Sequence, residues 1–224
     1  SFFYGFAGDP AKEACEVFDP NRSRHGNAQR QPIYTSPTLS SDHEGNILVY
    51  FGTGDPDPNK IYKPNVQNYF WALRDNPYLS CNDINGKMFP IATCNSLSNT
   101  QISVPGRIDL DMAKGEKNLF NSKIKDGKIF FTTYLPDEHP CGLGNSHLYS
   151  MDFLKCNAIR DNDNDSNLEP NEKIFMVLSN PGIASEVAIT ESRIFTQSSG
   201  SDVESESPKV TEIKMDLTTH YPEL

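Results

Sequence analysis

Apolar residues in this chain gather in short runs rich in β-branched and aromatic side chains, bounded by Gly, Pro, Asn and Asp, and helical periodicity is nearly absent. One pattern recurs three times. SPTLSSDHEGNILVYFGTG from Ser36, SKIKDGKIFFTT from Ser122 and SEVAITESRIFTQSSG from Ser185 each read as a Ser-led strand, a polar turn and a second strand opening at Ile47, Ile129 or Ile194. In the first two copies the turn carries Glu44-Gly45 or Asp126-Gly127, a hairpin signal, because a tight turn needs torsions that glycine adopts without strain. A further strand follows in each copy: FWALRD (Phe70 to Asp75), HLYSMDF (His147 to Phe153) and TEIKMDL (Thr211 to Leu217). There Leu73, Met151 and Met215 stand as partners of the three isoleucines.

Small antiparallel meanders that repeat predict an all-β fold of the β-propeller type, with quinoprotein-like blades. The blade-like units fall at about 31–112, 115–160 and 173–217 of a single partial domain spanning 1–224. TQISVPGRIDLDM (Thr100 to Met112) supplies an outer strand inside the widest gap. A β-sandwich is the alternative, but a sandwich has no reason to reuse one strand pattern. Closed propellers take roughly four to eight blades, so three to four units make an incomplete ring, finished by more chain or by a partner.

Composition narrows the setting. The 224 residues include 13 Phe and 9 Tyr, enough for a core, while a mean hydropathy of -0.56 implies long polar loops. A net charge of -10 argues against nucleic acid and anionic membranes, whose phosphates repel an acidic surface. No apolar run approaches the ~18 residues of a membrane span. The chain opens at Ser1 with no Met and no signal peptide and reads as a processed or trimmed piece, so missing targeting signals say nothing of its destination. Its five cysteines are Cys15, Cys81, Cys94, Cys141 and Cys156, with no CxxC. Cys81 and Cys94 bracket a short loop, and Cys141 and Cys156 bracket a strand-like segment. Two local disulfides in an oxidising compartment are expected, with buried free thiols as the alternative; spacing does not fix the pairing.

The densest chemistry is DNDNDSNLEPNE, Asp161 to Glu172, with five carboxylates in twelve residues. On EF-hand loop positions, Asp161, Asp163 and Asp165 fall at 1, 3 and 5, Asn167 at 7 (through its backbone carbonyl), Glu169 at 9 and Glu172 at 12. Alternate side chains of a tight loop converge on one hard cation, and a divalent ion relieves their mutual repulsion. Calcium fits, since it accepts six to eight oxygens in irregular geometry. Ser166 stands where glycine makes the usual left-handed turn, at a cost of about 1 kcal/mol. Affinity is therefore expected in the extracellular range of about 10⁻⁴ to 10⁻³ M. Strand-like flanks make the loop a structural clip rather than a helix-opening sensor. A solvated acidic linker is the competing reading. Asp55 and Asp57 in GTGDPDPN form either a plain turn or a second, weaker cation site.

Several stretches resemble the C-terminal β-propeller domain of the PilY/PilC family, the type IV pilus tip-associated adhesins. EVFDPNRSRHGNAQRQPIYTSPTL (Glu16 to Leu39) is similar to the family's segment ending in Gln-Pro-Ile before a blade strand. ILVYFGTGD (Ile47 to Asp55) resembles its apolar run closed by Phe-Gly-Thr-Gly. GEKNLFNSKIKDGKIFFTTYLPDEHPCGLGNSHLYSMDF (Gly115 to Phe153) carries the most specific likeness, the acidic loop follows where many members have a calcium loop, and GIASEVAI (Gly182 to Ile189) resembles the next blade. Loops 76–99 and 201–209 match nothing in that pattern. The resemblance implies a non-enzymatic, calcium-binding protein, exported through the periplasm to the cell surface at the pilus tip. Its implied partners are minor pilins or other tip subunits, a host or abiotic surface, and the remainder of its own propeller; its implied roles are pilus biogenesis, adhesion and twitching motility.

Two other classes compete. A quinoprotein-type dehydrogenase fragment shares strands like FWALRD and uses calcium, but such enzymes dock blades through repeated Trp motifs and this chain has one Trp, Trp71. A secreted calcium-stabilised scaffold would bind through loops 56–66 and 76–99. Ser146 beside His147 is adjacency without a nucleophile elbow, and GTGDPDPN lacks the Gly-Lys-Ser/Thr of a phosphate loop.

Overall fold

The Asp126-Gly127 turn shows how local sequence sets this fold: φ is 49° at Asp126 and 71° at Gly127, the paired left-handed torsions of a type I′ hairpin. The structure, a computed structural model, describes residues 3–5, 15–18, 32–56, 67–75, 88–90, 107–110, 115–139, 142–156, 158–159, 174–190, 193–199 and 210–214. Among them all regular structure is antiparallel strand. β1 (Phe3–Gly5) pairs with β2 (Cys15–Phe18). Sheet one runs β3 (Thr38–Ser41), β4 (Ile47–Gly52), β5 (Tyr69–Asp75), and the far edge of β5 is shared by β6 (Met88–Pro90) and β7 (Arg107–Asp109). Sheet two runs β8 (Lys123–Lys125), β9 (Lys128–Leu135), β10 (Asn145–Asp152), β11 (Phe175–Val177). Sheet three runs β12 (Ala188–Ile189), β13 (Arg193–Gln197), β14 (Val210–Lys214).

The three predicted hairpins and their third strands are therefore present in order, and β7 is the outer strand anticipated in the widest gap. Two details differ. β11 pairs with β10, so the strand that opens the expected unit 173–217 belongs to the preceding sheet. Only the middle copy has the pairing of Met151 with Ile129; elsewhere Leu73 faces Val49 and Ile213 faces Ile194, while Ile47 pairs with Ser41. The turn of the first hairpin is longer than the second's, with the Asp42 carboxylate accepting from Glu44 N at 3.0 Å and Asn46 N at 2.9 Å, and Gly45 at φ 82°.

The first strands of the three sheets stand in a row. Thr38 Oγ1 donates to Ser122 O at 2.7 Å, Ser36 N donates to Asn121 Oδ1 at 2.9 Å, Lys123 pairs with Glu186, and Lys125 Nζ donates to Thr190 O at 2.7 Å. Each is preceded by a short segment that bonds to the end of its own second strand: Gly54 N to Pro32 O at 3.0 Å, Lys117 against Tyr134, Ala184 against Ser198. Successive meanders with adjacent first strands are an open row of propeller blades.

Strand alternation then makes both faces of sheet two apolar. Ile129, Phe131, Tyr149 and Met151 meet Leu48, Tyr50, Phe70 and Ala72 of sheet one, together with Ile108 and Leu110. Phe130 and Leu148 on the other face pack with Ala184, Val187 and Ile194 on the side of sheet three. Sheet one carries a second apolar face of Val49, Phe51, Trp71 and Leu73. At the centre Phe131 is stacked between Phe70, 3.7 Å away by ring centroid, and Tyr149 at 4.6 Å. Phe131→Ala is expected to cost about 3–5 kcal/mol in chemical denaturation, whereas Val177→Ser, on a 57 % exposed side chain, is expected to stay within about 0.5 kcal/mol.

Candidate functional site

The six residues read as calcium ligands, Asp161, Asp163, Asp165, Asn167, Glu169 and Glu172, lie outside the described residues. What the structure describes is the frame on either side of them. After β10 the chain turns, with Asp152 Oδ1 accepting from Leu154 N at 2.8 Å and Lys155 N at 2.7 Å, and Asp152 O accepting from Cys156 N at 2.9 Å. Asp152 thus caps the turn as an Asx residue does. Cys156, buried and disulfide-bonded, takes a left-handed φ of 56°, which sends the chain back so that Ala158 bridges to Met151. On the return, Ile174 O accepts from Ser150 N at 2.8 Å and Phe175 enters β11. The two roots of the acidic segment are held by neighbouring residues of one strand. The expected pairings of Cys81 with Cys94 and of Cys141 with Cys156 involve side chains outside the described residues.

These roots also belong to the core between sheets one and two. Cys156 and Ile174 are members of that cluster, and Phe153, Leu154, Ala158 and Phe175 pack against it. From sheet one, the buried Tyr50 hydroxyl donates to Phe153 O at 2.7 Å. Burial, with the negative charges of Asp152 and Asp42, pushes this hydroxyl far above the usual tyrosine range, so it remains a protonated donor.

A buried polar hub lies further along the same face of β10. Glu116 Oε1 accepts from Thr133 Oγ1 and from Tyr149 OH at 3.1 Å, and lies 2.9 Å from His147 Nδ1; Glu116 O accepts from Asn68 Nδ2 at 2.8 Å. The Phe175 ring stacks on His147 at 4.6 Å. Sequence reading passed over Glu116, although His147, which faces Thr133 across the ladder, and Tyr149 two residues on mark one polar stripe. The same inner segment explains the Phe-Gly-Thr-Gly motif. A Cβ on Gly52 would meet the Asn118 side chain at 2.3 Å, and one on Gly54 would meet Lys117 Cβ at 2.5 Å.

Other candidate chemistry is placed as follows. Ser146 Oγ donates to Gly182 O at 2.8 Å and accepts from Ala184 N at 2.9 Å, on the face of β10 opposite His147, so the adjacent serine and histidine point to different cores. Lys117 Nζ approaches the backbone carbonyl of Asp55 at 3.4 Å; Asp57 lies outside the described residues. Between β8 and β12 runs a groove of about 560 Å³ lined by Lys123, Ile124, Lys125, Glu186, Val187 and Ile189, with the Lys123–Glu186 ion pair across it. Among the described residues no cluster of three or more His, Cys, Asp or Glu is placed to hold a metal, and no helix is long and apolar enough to cross a membrane.

No family model matches the sequence, and no curated protein matches it. The chain is similar to the crystal structure of the Pseudomonas aeruginosa PilY1 C-terminal domain at 12 % identity and a TM-score of 0.48, over 76 % of this chain and 44 % of that one. It spans less than half the length of that domain.

The hub sets a stability test. Glu116→Ala leaves the Thr133, His147 and Tyr149 groups without their shared acceptor in a dry site, and is expected to lower unfolding free energy by about 3 kcal/mol or more. Glu116→Gln keeps one carbonyl oxygen and is expected to lose about half as much in the same urea titration.

Proposed function

We propose that this chain is a calcium-stapled stretch of propeller blades from an extracellular protein of the type IV pilus tip, acting by binding rather than by catalysis. The observation that carries the calcium reading is the convergence of both loop roots on Ser150 and Met151 of β10, inside the core between two sheets. A cation held by Asp161, Asp163, Asp165, Asn167, Glu169 and Glu172 would supply positive charge that draws the carboxylates together and closes the β10–β11 connection. The disulfide at Cys156 fits an oxidising compartment.

The pilus assignment rests on the motifs from Glu16 to Gly200 that resemble the PilY/PilC propeller. Minor pilins and an attachment surface are the partners this reading names. Binding of purified minor pilins separates a tip subunit from a free-standing scaffold, and quinone-dependent dye reduction would restore the dehydrogenase reading.

For the staple itself, about 10 mM calcium is expected to stabilise the wild type by about 1.4–2.7 kcal/mol, from the ratio of ligand to a dissociation constant of about 10⁻³ to 10⁻⁴ M. In differential scanning calorimetry Asp161→Ala combined with Asp165→Ala should lose that gain while leaving calcium-free stability nearly unchanged. A wild type indifferent to millimolar calcium, or a double variant that gains as much, would remove the site.

A further inference from the structure

The first strands of neighbouring sheets meet in two different ways. β3 lies directly on β8: Thr38 Oγ1 donates to Ser122 O at 2.7 Å and accepts from Ser122 Oγ at 2.8 Å. Between β8 and β12, among the described residues, only long side chains cross: the Lys123–Glu186 pair and Lys125 Nζ donating to Thr190 O at 2.7 Å. The groove of about 560 Å³ lies in that gap, with Ile124, Val187, Ala188 and Ile189 as its apolar lining. Its rims are strand edges. The two-residue Asp126-Gly127 turn makes Lys125 and Lys128 a hydrogen-bonded pair and Lys123 with Phe130 the next one, so the N–H and C=O of Ile124 turn away from β9. Thr38 reaches Ser122 O on that same outer edge. On β12, Thr190 N donates to Arg193 O, so Ala188 pairs with Phe195 and the backbone of Ile189 turns outward. Among the described residues nothing bonds these outward groups of Ile124 and Ile189. The groove is also positive, in a chain whose net charge is -10. Lys123 and Lys125, two apart on β8, share one face of the strand. Glu186 answers only the first, and the Lys125 ammonium bonds a neutral carbonyl.

We propose that this groove binds an extended acidic peptide segment of a partner protein, which adds to β8 as a further strand. Edge N–H and C=O groups without partners are a template for strand addition, in which backbone bonds give affinity and alternate side chains give specificity. A peptide laid along β8 exchanges backbone bonds with Ile124. Side chains of such a strand alternate between two faces, as those of β8 do. Those beside Ile124 meet the apolar lining, and those beside Lys123 and Lys125 meet ammonium groups. The fitting segment therefore alternates apolar and carboxylate residues. A neutral segment leaves Lys125 without an anion, and a basic one is repelled by both lysines. The groove is independent of the calcium reading, because β8 and β11 are opposite edges of sheet two.

The test is fluorescence anisotropy with three dye-labelled peptides: Glu-Val-Glu-Val-Glu, Lys-Val-Lys-Val-Lys, and the acidic sequence with its backbone N-methylated. The acidic peptide is expected to bind about tenfold or more tightly than the basic one. Lys125→Glu is expected to weaken the acidic peptide about tenfold, the size of one lost charge-assisted hydrogen bond. Val177→Ser, at the opposite edge of the sheet, is expected to stay within about twofold of wild type. Equal binding of the acidic and basic peptides, binding of neither, or no loss in Lys125→Glu overturns the proposal. Undiminished binding of the N-methylated peptide overturns it too, since the groove then reads carboxylates without pairing a strand. Should Lys125→Glu fail to fold, hydrogen exchange on the wild type decides. The Ile124 amide slows on adding the acidic peptide if a strand pairs there, and unchanged exchange at Ile124 refutes it.

Discussion

All eight residues of β9 are buried, on both faces of the strand, and the neighbouring sheets are organised around satisfying that one segment. Ile129 and Phe131 look toward sheet one, Phe130 toward sheet three, and the polar residues that follow, Thr132 and Thr133, are buried as well. Both threonines are met by partners from outside the sheet. Thr132 Oγ1 donates to Ser185 O at 3.0 Å, Thr132 O accepts from Asn118 Nδ2 at 2.8 Å, and Thr133 bonds Glu116. A two-faced strand with polar positions forces its neighbours to present matching groups at fixed heights. The short inner segments before each first strand do this, and so they set blade spacing as well as filling space.

The same constraint accounts for the glycines. Asn118 is close enough to bond Thr132 O because it lies where a side chain on residue 52 would otherwise stand. Thr53 O accepts from Asn118 N at 3.1 Å, so the inner segment of the second unit is bonded to the first sheet and to its own. The Phe-Gly-Thr-Gly ending of β4 is thus a docking surface for the next blade. Its two glycines, Gly52 and Gly54, answer to an inter-sheet contact.

Much of this was legible from pattern alone. Hairpins announce themselves through local torsional demands, and Asp126-Gly127 has the turn its residues call for. The third strands and β7 were legible too, because each is a compact run of β-formers. What escaped reading was set by long-range pairing. β11 is three residues long and gains its identity from β10, to which it returns after an excursion that sequence reads as a boundary. The register offset at Leu73 belongs to the β4–β5 ladder, which a comparison of isoleucines ignores. Glu116 was invisible because a buried carboxylate looks like any surface glutamate until the three donors around it are assembled. The candidate calcium residues were read by spacing and lie outside the described residues; the fold describes only the frame on either side of them.

On the calcium reading proposed above, the frame also sets how strong a staple has to be. Fourteen residues, 160–173, separate Ile159 from Ile174, and β11 docks on β10 through three residue pairs. Closing a loop of that length carries an entropic cost whose length-dependent part is about 2.3 kcal/mol. A short edge strand with a half-exposed outer face repays little of that alone. An ion bound at about 10⁻³ to 10⁻⁴ M contributes about 1.4–2.7 kcal/mol at about 10 mM, which is the same size. On the proposed calcium reading, tight binding is therefore unnecessary for the loop to work as a clip, and a serine at position 166 is tolerable. A stronger site would only hold closed a connection that the two roots, one bonded to Ser150 and the other bridged to Met151, already bring to the same strand.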